Sequence, residues 1–424
     1  MLIVRIAVIV FVAILAIAAM TSSVQTANVS ITITPTTSSS LTSKTASSST
    51  TSSSNLVSSS TTASSSSVAT SQSLNQTQYL AWKNQWLGYA KIAWQFFKPG
   101  VGVSPTTGLM YAFPNYHEFT DWDLASYIEA VLAAEKLGLI TQNGTWGADY
   151  RLKLVLNFLE TRVLTNTSIP YQFYDSDTGG IAPDVGPVVG NPTDEGKLLI
   201  AFYNMRIAHP ELAQSIENAM SRVNYKHLAL TPGFASVSEY SQYSGIGFRL
   251  WNFTIPNFPN LENVTPGMIV PEPVLSAILD NVSNDYLNKL GMSLYLAHYA
   301  LYNRTGLLLA LGEGQYLPYG GDQSPYVYES IEVPNGTSYK MVTDTGVVFS
   351  NAYPETFTKI ALAFYAIYRT GYAQLLANNV TSTLATSTGY YDGFISGTGQ
   401  IVRLITDNTN SMVVEAAAYA ILAQ

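Results

Sequence analysis

From about Gln76 onward the hydrophobic pattern is helical, with apolar residues recurring at three- and four-residue spacing between breakers. The first stretch, TQYLAWKNQWLGYAKIAWQFF, stops at Lys98-Pro99-Gly100, and the second runs over 122–137 and stops at Gly138. Further helices are expected near 148–163, 193–208, 210–223, 237–250, 271–279, 284–302 and 306–311, then at 354–368, 372–384 and 411–422. Residues 326–347 alternate apolar and polar around Asn335-Gly336, a hairpin signal. A second small β element, YYDGFISGTGQIVRLI, separates the last two helices.

These twelve helices pair into six hairpins, two of which turn on similar wording, Tyr302-Asn303-Arg304-Thr305-Gly306 and Tyr368-Arg369-Thr370-Gly371. Five even-numbered helices start from a polar loop: Thr120-Asp121-Trp122-Asp123, Thr193-Asp194-Glu195, Ser238-Glu239-Tyr240, Tyr353-Pro354-Glu355 and Asp407-Asn408-Thr409-Asn410. A feature shared by alternate helices is what a ring of hairpins needs. The expected fold is mainly α, an (α/α)6 toroid of about twelve helices with small β-hairpin insertions, its inner helix starts facing one polar site.

Ahead of that domain, expected over 76–424, the pattern changes twice. Residues 1–24 carry one basic residue, Arg5, and an unbroken apolar run from Ile6 to Met20, which reads as an export signal or a membrane anchor. Residues 25–75 are dominated by Ser and Thr and cannot bury enough surface to fold, so a disordered, glycosylated stalk is expected. Ten Asn-x-Ser/Thr sequons, from Asn28 to Asn379, agree with an extracellular or cell-surface glycoprotein.

Charge narrows the partners. Only 11% of residues are charged, against the roughly 25% usual for soluble domains. All 28 acids lie at or beyond Glu118, and the whole chain carries −8. Nucleic acid is therefore excluded as a natural partner. With no Cys, and four His without ligand spacing, neither a metal nor another cofactor is expected. Few titrating groups also suit life at low external pH, where the swing in charge is small.

Hydrolysis of a glycosidic bond needs two carboxyl groups, one protonated and one ionised. The acid pool at the expected rim is Asp123, Asp194, Glu195, Glu239 and Glu415, each of which could instead serve only as a helix-start acid or a surface group. Trp122 and Trp251 offer faces for a sugar ring, and Asp121, Tyr174, Asp175, Tyr240, Asn408 and Asn410 are expected as polar and aromatic substrate contacts. The alternating acids of Tyr174-Asp175-Ser176-Asp177 match a calcium loop for three positions only. Neither a nucleophile elbow nor a phosphate or nicotinamide loop is present.

Taken in order, Trp122-Asp123-Leu124 with Ser126, Tyr174-Asp175 with Thr178-Gly179, Asp194-Glu195-Gly196-Lys197, Gly247-Phe248-Arg249-Leu250-Trp251, and Asn408-Thr409-Asn410 with Glu415-Ala416 resemble a helical-toroid domain family of unknown function. That family is related to glucoamylase-like domains and endo-β-1,2-glucanases. The resemblance implies an (α/α)6 fold and a carbohydrate-active site at the inner-helix rim. The expectation is an exported hydrolase of poly- or oligosaccharide. Its main rival is a non-catalytic surface glycoprotein that binds glycans or envelope partners. An acid peptidase is a weaker third, since Asp177-Thr178-Gly179 and Asp344-Thr345-Gly346 lack the flanking strands.

Overall fold

The structure, a computed structural model, describes residues 75–229, 247, 267–282, 285–316, 325–343, 346–349 and 352–423. The export segment, the stalk and the expected helix at 237–250, Gly247 apart, lie outside them. The described chain is mainly helical with small antiparallel sheets, the first of which pairs β1 (Glu118–Phe119) with β2 (Tyr174–Asp175), while β7 (Val348–Phe349) edges a five-stranded one. In order the helices are α1 (Gln76–Ala93), α2 (Asp121–Lys136), α3 (Ala148–Thr161), α4 (Pro192–Ala208), α5 (Ala213–Ser221), α6 (Tyr225–Ala229), α7 (Pro271–Leu279), α8 (Asp285–Thr305), α9 (Thr358–Tyr368), α10 (Gly371–Thr383) and α11 (Asp407–Leu422).

Burial sorts them into two kinds. Helices α2, α7, α9 and α11, and α4 as far as Phe202, are covered almost all round, whereas α3, α8 and α10 bury one face only. A helix apolar on every side needs neighbours on every side, and a striped one needs solvent on the other. The covered helices pack in succession, α7 on α9, α9 on α11, α11 on α2 and α2 on α4. The succession then closes, because Asn204 of α4 donates to the main-chain oxygen of Asp280 at the end of α7, 3.0 Å away. Alanines such as Ala125, Ala130, Ala416 and Ala417, fully buried, let these helices approach closely.

Gly247 abuts α4 without intervening side chains: a methyl group built on it would lie 2.1 Å from the carbonyl oxygen of Gly196. Backbone contact of that kind needs glycine. Among the described residues, no helix is long and apolar enough to cross a membrane.

Several boundaries differ from the sequence pattern, the first helix ending at Ala93 rather than Phe97, and three of the differences bear on the site. The helix expected at 306–311 does not form. Gly306, at φ +71°, ends α8 with its N–H on Tyr302 O, and the chain then runs extended into β4 (Glu313–Gln315). A short apolar run such as Leu307–Leu311 fits a buried extended segment as well as a helix, so spacing could not decide. The helix expected from Pro354 starts at Thr358, because Glu355–Phe357 forms β8. Helix α11 begins four residues early, at Asp407, capped by Thr406.

The hairpin around Asn335-Gly336 is present as β5 (Tyr326–Val333) and β6 (Tyr339–Thr343), with Ile331 opposite Tyr339. Strands β3 (Gly267–Ile269) and β4 both pair with β5. In the second small sheet, strand Gly393–Ile395 lies between β8 and strand Ile401–Val402. The two sheets set Glu313 and Glu355 among the first turns of the covered helices.

Candidate active site

Side chains from neighbouring elements cap the covered helices. Thr120 and Asp123 form a reciprocal capping box on α2: Thr120 N–H donates to Asp123 Oδ2 at 2.9 Å, and Asp123 N–H donates to Thr120 Oγ1 at 3.3 Å. On α4, Asn191 Oδ1 accepts from the N–H groups of Thr193 and Asp194 at 2.9 and 3.0 Å, with Pro192 in the first turn. Their first turns meet at one mouth. Asn408 of α11 donates to Glu272 of α7 at 2.5 Å, and Lys359 of α9 stands 2.7 Å from the same carboxylate. Converging helix starts place partial positive charge there, which favours acids.

Like Asp194, Asp123 is partly exposed at this mouth. Withdrawal from water raises its pKa, while the Thr120 hydrogen bonds and the charges of Lys197 and Lys359 pull it back. Glu313, on β4, is 5% exposed, and burial pushes it up to about 7; Lys359 and Lys197 oppose that rise and the charge of Asp123 adds to it. Asp407 is fully buried and held well above the carboxylate range by burial, then by the charge of Asp123. Lys197 lies over the ring of Trp122, 4.4 Å from its centroid. Burial raises both Asp123 and Glu313, and the Thr120 hydrogen bonds stabilise the ionised form of Asp123; differing surroundings are what assign acid and base roles to paired carboxyls.

A second group lies beside it. Lys359 Nζ donates to the main-chain oxygen of Glu313 at 2.9 Å, so the cation that pairs with Glu272 also holds β4 in place. Burial lowers the Lys359 pKa, but Glu272, Asp392 and Glu313 outweigh it and leave the ammonium charged. Asp392 accepts from Thr406 and Thr409 at 2.7 and 2.5 Å, which ties the cap of α11 to the small sheet.

The residues singled out from the sequence fall in several places. Asp121 is ion-paired to Arg162 at 2.6 Å, and Glu195, from α4, is 3.7 Å from the same guanidinium. Asp194 accepts from Gln172 at 2.8 Å and is raised well above the usual range, chiefly by burial and also by the charges of Asp121, Asp123 and Glu313. Trp122 is 5% exposed beneath the Lys197 ammonium. Asn408 faces Glu272, whereas Asn410 is fully buried and bonds to both N–H and C=O of Tyr390.

Tyr174 sits in the core, its hydroxyl donating to Val163 O. Asp175 closes a turn by accepting from Thr178 N and Oγ1 at 2.7 Å. Glu415 lies two turns along α11, about 12 Å below the mouth by helical rise, where it meets Glu129 and Asp280. Glu239, Tyr240 and Trp251 lie outside the described residues.

Sequence reasoning passed over Glu313, Glu272, Lys359 and Asp392, which do not belong to polar helix-start runs. The usable signal for Glu313 was its isolation: a lone acid between glycines in LALGEGQY, following an apolar stretch. A crevice of about 170 Å³ beside α4, lined in part by Asp121, Gln172, Asp194 and Glu195, opens near this mouth.

Known structures share this architecture. A β-1,2-glucanase from Parabacteroides distasonis is similar at 15% identity and TM-score 0.52, over 79% of this chain and 56% of that one. The chain therefore spans little more than half the length of that relative. A putative glucoamylase from Bacteroides caccae ATCC 43185 is similar at 12% identity and TM-score 0.55, over 81% of this chain and 96% of that one. The endo-β-1,2-glucanase of Talaromyces funiculosus, in complex with sophorose, is similar at 10% identity and TM-score 0.56, over 82% and 87%. At these identities the likeness is one of fold, a helical toroid. None of the curated proteins matches the chain in sequence. Residues 88–266 and 260–422 match the family described as protein of unknown function (DUF3131), and the chain belongs to that family.

Proposed function

We propose that this protein is an exported glycoside hydrolase that cleaves a poly- or oligosaccharide with Glu313 as general acid and Asp123 as its ionised partner. The observation that carries the reading is the contrast between the two carboxyls. Glu313 is raised to about 7 by burial, so it holds a proton in mildly acidic solution; burial raises Asp123 as well, but the Thr120 hydrogen bonds and the charges of Lys197 and Lys359 stabilise its ionised form, the form its role requires. Glu313 would protonate the departing glycosidic oxygen, and Asp123 would activate water or attack the sugar carbon. Asp407 and Asp194, both raised, reinforce the proton affinity of the mouth without competing for the role of base.

The ring of covered helices supports a six-hairpin (α/α)6 toroid; Glu239 and Trp251 lie outside the described residues. An N-terminal export segment and a Ser/Thr-rich stalk would place the toroid at the cell surface. The neighbours named for β-1,2-glucan hydrolysis make that polymer the first substrate to try, with α-glucans second.

The test is release of reducing ends by the purified protein from a panel of glucans and surface glycans. Loss of less than tenfold activity in Asp123→Asn or Glu239→Gln would remove that residue from the catalytic set. A non-catalytic glycan-binding glycoprotein is the second reading. It is favoured by the tightness of the crevice beside α4, which does not enclose room for a sugar ring.

A further inference from the structure

At the far end of the covered helices from the mouth, His209 ends α4 with its side chain 1% exposed. Its ring is enclosed by carboxylates on both nitrogens. Nε2 is 2.8 Å from Glu135 Oε2, near the end of α2. Nδ1 is 3.1 Å from Asp149 Oδ1, in the first turn of α3, and 3.2 Å from Glu211 Oε1, in the short 3-10 turn Pro210–Leu212. We propose that Asp149, His209 and Glu211 bind a zinc-class divalent cation, with Glu135 as the outer carboxylate that fixes the His209 tautomer.

Hydrogen bonding alone does not account for the arrangement. One N–H at Nδ1 can point along one line, and the contact to Glu211 has that geometry. Asp149 Oδ1 is withdrawn from water and accepts no hydrogen bond. A cation shared among the three would engage that oxygen, the Glu211 oxygen and the Nδ1 lone pair together.

The spacing fits. The three donor atoms lie within 4.8 Å of one another, with two of the separations 3.1 and 3.2 Å. Donors about 2.0–2.1 Å from a tetrahedral zinc stand roughly 3.3 Å apart. Imidazole with carboxylate is a donor set suited to zinc and its transition-metal neighbours rather than to calcium.

Charge points the same way. Among the described residues, none of the three carboxylates has a Lys or Arg at ion-pair distance, so an imidazolium would offset only one of three negative charges. A divalent ion bound to neutral His209 removes two. Glu135 on Nε2 then supplies the outer hydrogen bond that metal-bound histidines characteristically have, holding the proton on Nε2 and freeing Nδ1. Such a site would tie together the end of α2, the start of α3 and the end of α4. Neither the mouth nor its acids take part, so this inference is independent of the glycosidase reading.

The test uses the full-length protein prepared without chelator. Metal content by plasma mass spectrometry should give about one zinc per chain, and added zinc should raise the thermal midpoint where chelator lowers it. Glu211 is half exposed, so Glu211→Gln should keep the native circular dichroism spectrum while losing at least tenfold in zinc affinity by calorimetry. Glu135→Gln, which touches no metal, should weaken zinc by about 10- to 100-fold. Wild-type protein that neither retains nor takes up zinc at micromolar concentration would overturn the proposal and leave His209 held by its carboxylate contacts alone. Zinc affinity unchanged in Glu211→Gln would overturn it equally, by placing the metal elsewhere.

Discussion

Arg162 Nη1 stands 2.6 Å from Asp121 Oδ1, with the two side chains only 2% and 6% exposed, and its other nitrogen faces Glu195 across 3.7 Å. One guanidinium thus neutralises acids from the first turns of two neighbouring covered helices. Asp121 and Glu195 are neighbours because Arg162 makes it tolerable. Burial lowers the Arg162 pKa, but the two carboxylates outweigh it and keep the cation charged. Removing the cation while leaving both acids buried should cost about 3–5 kcal/mol, as for other broken buried pairs. Arg162→Met, measured by chemical denaturation, should show that loss. A change below about 1 kcal/mol would mean that water reaches the pair, as at exposed ion pairs.

The contact between Gly247 and Gly196 makes a sharper structural prediction. A methyl group on Gly247 would fall 2.1 Å from the Gly196 carbonyl oxygen, and backbone cannot swing aside as a side chain can. Gly247→Ala should therefore destabilise by about 1–3 kcal/mol, the range of overpacked cores. Gly88→Ala, where nothing lies within 4 Å, serves as the control and should stabilise α1 slightly.

Stability should depend on pH in the direction opposite to acid denaturation. Glu129, Asp194, Glu329, Glu355, Asp407 and Glu415 are all raised well above the carboxylate range, with burial the first cause in each. A carboxyl whose folded pKa exceeds its unfolded value binds its proton more tightly when folded. Its contribution is complete below the unfolded pKa, about 4, and is lost as pH rises through the folded value, which for Glu313 is about 7. Asp177 and Glu211 are shifted the other way, below the ordinary carboxylate value, but both side chains are exposed. The thermal midpoint should be higher near pH 4 than near pH 8. A midpoint that climbs over that interval would contradict the buried carboxyl account.

How much of this was readable from the chain can be judged residue by residue. Apolar spacing located the helices because a covered or striped helix leaves a period that no loop imitates, and the polar starts of α2, α4 and α11 marked Asp123, Asp194 and Asp407. The start Tyr353-Pro354-Glu355 marked Glu355 too, although the residue opens strand β8 rather than a helix. Glu313 was not legible in that way, because it sits on a strand three residues long, too short for a period, and is placed by pairing with β5. Lys359 reads as an ordinary helix-start lysine until folding places Glu272 beside it. His209 and Asp149 are 60 positions apart, a spacing that carries no metal signature.

Lys197 provides a test of how the mouth is tuned. Its charge lowers the pKa of both Asp123 and Glu313. Lys197→Met should move both limbs of the pH–activity profile upward, the alkaline limb starting from about 7 in the parent protein. Limbs that stay in place would show that Lys197 does not act on the reacting carboxyls.

The division of labour between Glu313 and Asp123 is the central claim, and one measurement reaches it most directly. Initial rates of reducing-end release from β-1,2-glucan, or from whichever glycan of the panel is cleaved, should be compared across pH for the parent protein, Glu313→Gln and Asp123→Asn. The account predicts a parent profile with its alkaline limb near 7, and losses of roughly 10²–10⁴-fold in each variant, the range of acid–base contributions. In Glu313→Gln the alkaline limb should vanish from any residual activity. An active Glu313→Gln with the limb still near 7 would contradict the assignment of Glu313 as the acid.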